Sequence, residues 1–190
     1  GINWGSPDEP TPRRTAWTVA PSCKCSYAFS GDVMHPQPWP HWMEELLAEV
    51  MPLCGITTQA EWPNSCFLNL YEDGGGVGWH ADDEPLFQGY CRDCAIVSLS
   101  LGQGRDFEMY SEAVPPEKAP VRCCLRLENG DLCTMEGLFQ KYYWHSAPWE
   151  EDAPSPRINL TWRWIVEHRP DCPAGGKTSI GEEGTSNDAG

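Results

Sequence analysis

His80 and Asp82 stand two residues apart, and His145 follows much later in the chain. Two neutral imidazoles and one carboxylate can occupy one face of an octahedral ferrous ion, leaving the opposite face open to O2 and an organic cosubstrate. Side chains two apart in an extended segment share a face, so His80 and Asp82 are expected to reach one ion from one strand. Trp79 and Ala81 then point elsewhere. A His-x-Asp triplet is common by itself, and a solvated His/acid pair is its ordinary meaning. A second histidine followed by a basic strand gives it weight.

That strand reads Arg157-Ile158-Asn159-Leu160-Thr161-Trp162-Arg163. The period of two puts Arg157, Asn159, Thr161 and Arg163 on one face and Ile158, Leu160 and Trp162 on the other. Trp162, Trp164 and Ile165 argue that both faces are enclosed, and enclosed guanidiniums need anions to meet them. A dicarboxylate suits the pair, because each guanidinium offers a planar fork to a carboxylate. Asn69 and Tyr71, again two apart, are placed to hydrogen-bond the same guest.

The elements that must position these groups are mostly strands. Expected strands run over 65–71, 95–101, 106–110, 121–127, 131–135 and 158–166, punctuated by Gly-rich and Pro-rich turns, which predicts an antiparallel sandwich or jelly roll with flanking helices. One amphipathic helix is expected from Pro40 to Met51. Trp42, Met43, Leu46, Leu47 and Val50 recur at three- and four-residue steps between glutamates, and Pro52 with Gly55 closes it. Residues 111–120 read as a polar loop. The expected organisation is a flexible arm at 1–11, one domain at 12–168 and a disordered tail at 169–190.

The chain has 190 residues and a formal net charge of −15, which argues against a tight grip on a duplex phosphate backbone. Several cations, including Arg13, Arg14, Lys24, Arg105, Arg126 and Lys141, could nonetheless gather near a site. No apolar run of about 18 residues occurs, and no secretory signal opens the chain, so an intracellular protein of nucleus or cytoplasm, free of membrane and monomeric, is expected. The missing initiator Met suggests a trimmed chain or a piece of a longer protein. Ten cysteines include the pairs Cys23/Cys25, Cys91/Cys94 and Cys123/Cys124. Cys91-Arg92-Asp93-Cys94 lacks a second Cys-x-x-Cys partner for zinc, so reduced thiols are the expected state.

Taken together, Asn69-Leu70-Tyr71, His80-Ala81-Asp82-Asp83-Glu84-Pro85, Ile96-Val97-Ser98-Leu99-Ser100-Leu101-Gly102, Asn129-Gly130-Asp131, His145 and Arg157-x-Asn159-x-Thr161-x-Arg163 resemble the AlkB family of Fe(II)- and 2-oxoglutarate-dependent dioxygenases in order and spacing. The resemblance extends upstream through Thr15-Ala16-Trp17 and Tyr27-Ala28-Phe29-Ser30-Gly31 and covers roughly residues 12–167. Phe107-Glu108-Met109 and Met135-Glu136-Gly137 look like the branch that repairs alkylated bases in single strands.

The resemblance implies a double-stranded β-helix and a defined set of roles. His80, Asp82 and His145 would bind Fe(II). Arg157 would pair with the distal carboxylate of 2-oxoglutarate with help from Tyr71 and Asn159, and Arg163 and Asn69 would hold its keto-acid end. Trp17 matches the aromatic that stacks a flipped base. Tyr27 matches a residue that touches the nucleic-acid backbone, and Asp83 and Glu84 match acids near the exocyclic amine. The implied reaction turns O2 and 2-oxoglutarate into succinate and CO2 while hydroxylating an N-methyl group, which leaves as formaldehyde. The implied substrate is 1-methyladenine or 3-methylcytosine in single-stranded RNA or DNA. Two alternatives stay open: a hydroxylase or demethylase of a protein side chain or small metabolite, which the acidic balance suits, and a silent reader of modified RNA.

Overall fold

The computed structural model describes residues 1–4, 13–29, 31–72, 74–111 and 121–175. Two sheets face each other across a cavity. The larger has six strands in the order β10-β7-β12-β5-β1-β4: β1 (Arg14–Val19), β4 (Gln37–Pro38), β5 (Ser65–Tyr71), β7 (Ile96–Gly102), β10 (Leu132–Met135) and β12 (Arg157–Arg163). The smaller runs β6-β11-β8-β9, from β6 (Val77–His80), β8 (Arg105–Ser111), β9 (Val121–Leu127) and β11 (Tyr143–Ala147). A separate hairpin, β2 (Tyr27–Phe29) with β3 (Asp32–Met34), roofs one end. Apart from the parallel β1/β4 pair, every pairing among the described residues is antiparallel. The jelly-roll expectation holds.

Alternation along the central strands explains how the larger sheet is held. Ala16, Cys66, Leu68, Val97, Leu99, Leu160 and Trp162 form one apolar face and bury Met43, Leu47 and Val50 of α1 (Trp42–Val50). The glutamates of α1 stay outside. The Trp162 indole N–H points at Met43 Sδ, 3.2 Å away. A short 3-10 turn, Met51–Cys54, continues α1, and Gly55 ends it at φ +79°, a left-handed conformation that glycine adopts without strain. The opposite face of the same strands carries Asn69, Tyr71, Arg157, Asn159, Thr161 and Arg163 toward the cavity. The polar face read from residues 157–163 is therefore an interior face.

Some boundaries differ from expectation. Ile2 and Trp4 pack against the core on the α1 side, and Asn3 exchanges two hydrogen bonds with Gln37. The first four residues are thus docked, and the remainder of the expected arm lies outside the described residues. The chain also stays packed beyond 168, with Cys172 buried and Ala174 against the core, because thiols at both ends of the chain converge there. Most of the expected tail and the 111–120 loop lie outside the described residues. The strand expected to carry His80 is β6, whereas β1, β2, β3, β4 and β11 were not among the expected strands.

Candidate active site

The metal-binding set is assembled by the smaller sheet. β6 and β11 pair so that His80 and His145 stand opposite each other, with ring centroids 4.2 Å apart. Gly76 makes this approach possible: a Cβ there would lie 2.5 Å from the Ala147 carbonyl oxygen. β6 ends at His80, so Asp82 is not on the strand as expected. It sits just beyond, in a segment that turns inward, where its backbone N–H donates to Gln140 Oε1 at 2.9 Å. Gln140 is fully enclosed on α2 (Phe139–Tyr142) and holds the Asp82 main chain in place. His80 Nδ1 faces the Gly78 carbonyl at 2.8 Å, which leaves Nε2 toward the site. Both imidazole Nε2 atoms lie 3.9 Å from the Asp82 carboxylate, and the candidate ligand atoms of the three residues all fall within 4.8 Å of one another.

The electrostatics suit a divalent cation. Burial alone would raise the Asp82 pKa, but Arg163, His145 and His80 outweigh it and bring the carboxyl down to about 2. Burial pushes His145 down to about 3 against the pull of Asp82, so its imidazole is neutral at ordinary pH and able to donate a lone pair. Two imidazoles and a carboxylate held ionised are the donor set Fe(II) takes. The residues present fit that ion.

Two buried guanidiniums face the same space and differ in their partners. Arg163 donates to Asp82 Oδ2 through Nη2, while its Nε and Nη1 have no acceptor among the described residues. Arg157 is 4% exposed; its Nη2 donates to Ser100 Oγ at 2.8 Å, and its guanidinium lies 5.2 Å from the Tyr71 ring centroid. No carboxylate among the described residues forms an ion pair with it, and Nε is unpartnered. Burial lowers its pKa, with Tyr71 opposing. A cation so enclosed leaves room for an incoming anion. Asn159 donates to Ser98 Oγ at 2.8 Å and the Leu99 carbonyl at 3.1 Å, and accepts from Thr161 Oγ1 at 2.9 Å. Asn69 Oδ1 is buried without a donor among the described residues.

These groups line one cavity of about 650 Å³ between the sheets, together with Tyr27, Asp83 and Glu84. Burial and Asp82 raise the Glu84 pKa, against Arg163. Glu84 Oε1 accepts from the Tyr27 hydroxyl at 2.6 Å, and Oε2 is buried with no donor among the described residues. Tyr27 itself is 3% exposed, an interior wall rather than a surface contact for a phosphate backbone.

Trp17 is the main correction. It projects from β1 on the cavity side of the sheet, but Tyr27 and Phe87 pack over it and its indole N–H donates to the Cys25 carbonyl at 2.8 Å. It is fully buried and does not line the cavity. A ring spent on the core and on a loop carbonyl cannot also stack a guest.

Exposed rings stand at the cavity wall instead: Trp79 and Trp144, each 40% exposed, and Tyr90 at 62%. The position of Trp79 beside His80 was the available sequence signal. Of the gathered cations, Arg13 and Lys141 line the cavity. Arg126 instead pairs with Asp106, Glu128 and Glu150, and Arg105 is buried where it holds the Gly74 and Gly75 carbonyls at 3.2 Å. Gln140 went unread, and Ser98 and Ser100 were read as part of a motif without a role, since neither serine carries a charge that calls for a guest.

Comparison with known proteins agrees with this geometry. Residues 7–163 match the 2OG-Fe(II) oxygenase superfamily. Alpha-ketoglutarate-dependent dioxygenase alkB homolog 3 of Mus musculus is 35% identical over 161 residues, covering 82% of this chain and 52% of that protein. DNA oxidative demethylase ALKBH2 of Homo sapiens is 31% identical over 145 residues, covering 74% of this chain and 52% of that protein. The chain spans about half the length of these curated relatives. The solved structure of OsALKBH1 shares the fold at a TM-score of 0.54 and 18% identity, with 86% of this chain and 85% of that one covered. Metal-binding set, anion-hungry arginine and matched sequence agree: the chain belongs to the 2OG-Fe(II) oxygenase superfamily, with AlkB-type dioxygenases among its relatives.

Proposed function

We propose that the protein oxidatively removes N-methyl groups from alkylated bases, 1-methyladenine and 3-methylcytosine, in single-stranded RNA or DNA. Fe(II) held by His80, Asp82 and His145, with O2 and 2-oxoglutarate, supplies the oxidising equivalents when bound, and succinate and CO2 leave. The rest is positioning by the chain. Arg157 receives the distal carboxylate of 2-oxoglutarate beside Tyr71 and Asn159. Arg163, while keeping Asp82 ionised, turns its unpartnered N–H groups to the keto-acid end, with Asn69 nearby. The two sheets exclude water from the methyl carbon, and the hydroxymethyl product then breaks down to formaldehyde and the free base.

The observation that carries the substrate reading is the buried Glu84 Oε2, an acceptor without a donor on the wall of the same cavity as the metal set. An exocyclic amine on a base carrying positive charge supplies both the donor and the charge that such an oxygen lacks. Trp79 and Trp144 offer exposed faces for neighbouring bases. A net charge of −15 recovers little of the few kcal/mol that extracting a base from a duplex requires, which favours single strands.

The test measures formaldehyde released from short single-stranded oligonucleotides carrying either lesion, from the same lesions in duplexes, and from unmodified strands. Release from lesion-bearing single strands above duplexes is expected. Glu84→Gln, which keeps an acceptor for Tyr27 but puts an amide N–H2 where Oε2 was, should lower kcat/KM for the lesion by about 10- to 150-fold, the loss of one charge-assisted hydrogen bond. Untouched lesions alongside hydroxylation of a peptide or metabolite would refute the reading.

A further inference from the structure

Four side chains outside the active site converge on one point. Cys23 and Cys25 precede the roof hairpin, whereas His168 and Cys172 follow β12. Their ligand atoms all lie within 4.8 Å of one another. Cys25 Sγ and Cys172 Sγ are each 3.5 Å from His168 Nδ1, Cys23 Sγ is 3.9 Å from it, and Cys172 Sγ is 3.8 Å from Cys23 Sγ. Zinc–sulfur bonds of about 2.3 Å and a zinc–nitrogen bond of about 2.0–2.1 Å at tetrahedral angles require S···S near roughly 3.8 Å and S···N near roughly 3.5 Å. We propose that Cys23, Cys25, Cys172 and His168, through Nδ1, bind one structural Zn2+ in closed tetrahedral Cys3His coordination.

The surroundings are built for thiolates. The backbone N–H of Lys24 points at Cys172 Sγ at 3.3 Å, that of Cys25 at Cys23 Sγ at 3.4 Å and that of Arg169 at Cys25 Sγ at 3.5 Å. Such donors spread the negative charge of metal-bound sulfur. The three cysteines are buried, and Gly175 closes over the imidazole so tightly that a Cβ there would lie 2.7 Å from His168 Cβ. A disulfide would join two of the three thiols and leave the third sulfur and the imidazole without a purpose, whereas a metal uses all four. Binding displaces three thiol protons to solvent and leaves a complex of net charge −1, with every position filled by protein. That is a structural rather than a catalytic site.

Its place in the fold gives it a task. Cys25 holds the Trp17 indole through its carbonyl, and Tyr27, the wall residue bonded to Glu84, lies two residues on. On the other side, Val166 and Glu167 donate their backbone N–H groups to the Leu86 carbonyl, next to the segment carrying Asp82 and Glu84. The metal therefore fastens the cavity roof to the chain that leaves β12.

The test is metal analysis of the full chain prepared in zinc-containing medium without chelator. The His80→Ala/His145→Ala variant, which disables the other candidate site, should still carry about one zinc per chain, and Cys172→Ala should lose it while binding iron as before. Should Cys172→Ala fail to fold, Co2+ loaded into the His80→Ala/His145→Ala protein gives an independent reading, because only a sulfur-ligated tetrahedral site produces intense thiolate-to-cobalt charge-transfer and d–d bands. Absence of zinc and of those bands, zinc retained after Cys172→Ala, or an intact mass lower by two hydrogens from a Cys23–Cys172 disulfide would each overturn the proposal.

Discussion

Replacing Arg157 by leucine tests the cosubstrate pocket most directly. The native guanidinium is buried, spends one N–H group on Ser100 and has no carboxylate ion pair among the described residues. Leucine fills much of the same space without charge. A hydrogen bond between ionised partners contributes about 1.5–3 kcal/mol, so losing the fork should raise the 2-oxoglutarate requirement by about 10- to 150-fold. The methylated substrate, measured at saturating 2-oxoglutarate, should keep nearly its native KM. Stability should respond oppositely to what a simple defect would do. Removing a buried cation that lacks an anion lowers no folding free energy tied to an ion pair, so the Tm without cosubstrate should hold or rise. The Tm increase that 2-oxoglutarate gives the native protein should vanish, since a ligand stabilises only the state it binds. Arg157→Lys keeps the charge but not the planar fork and should fall between the two. Titration of 2-oxoglutarate by succinate formation, alongside thermal melts with Fe(II) present, supplies both numbers. An unchanged cosubstrate dependence in Arg157→Leu would place this side chain outside the pocket's chemistry and refute the reasoning.

The metal set yields a contrast. His80→Ala or His145→Ala should abolish iron binding and 2-oxoglutarate turnover with little change in fold, whereas Asp82→Ala should also destabilise the protein by about 3–5 kcal/mol, because Arg163 is then buried without its anion; iron content and denaturant melts separate the cases. Asp83 is exposed at the cavity wall, so Asp83→Ala should retain iron yet alter the preference between methylated bases, and equal loss of metal would mean the wrong carboxylate had been chosen. Trp17→Ala should cost about 3–5 kcal/mol in folding stability, as large aromatic truncations in cores do, and a native melt with selectively weakened substrate binding would restore Trp17 to the pocket.

The sequence by itself determined the polar, anion-seeking face of the site, because that face follows local periodicity. Residues two apart on a strand share a face whatever surrounds them, so Arg157, Asn159, Thr161 and Arg163 were bound to line one side once both faces were seen to be enclosed. Residue types then named the kind of guest. The helix ending at Gly55 was legible for the same reason: its pattern, its proline and its glycine are neighbours in the chain. What only the tertiary structure decided depends on pairs far apart in sequence. Trp17 looks like a stacking ring until the segment 23–27 folds over it and takes its N–H, a contact no spacing encodes. Arg157 and Arg163 look equivalent along their strand, yet only Arg163 meets Asp82, since the turn after β6 delivers that carboxylate to one end of β12. The cysteines show the limit most clearly. Cys91/Cys94 has the familiar spacing and gathers no further ligands among the described residues, while Cys23 and Cys25 find theirs in His168 and Cys172 at the other end of the chain. Coordination depends on where ligand atoms meet in space, and closing the two sheets against each other fixes that.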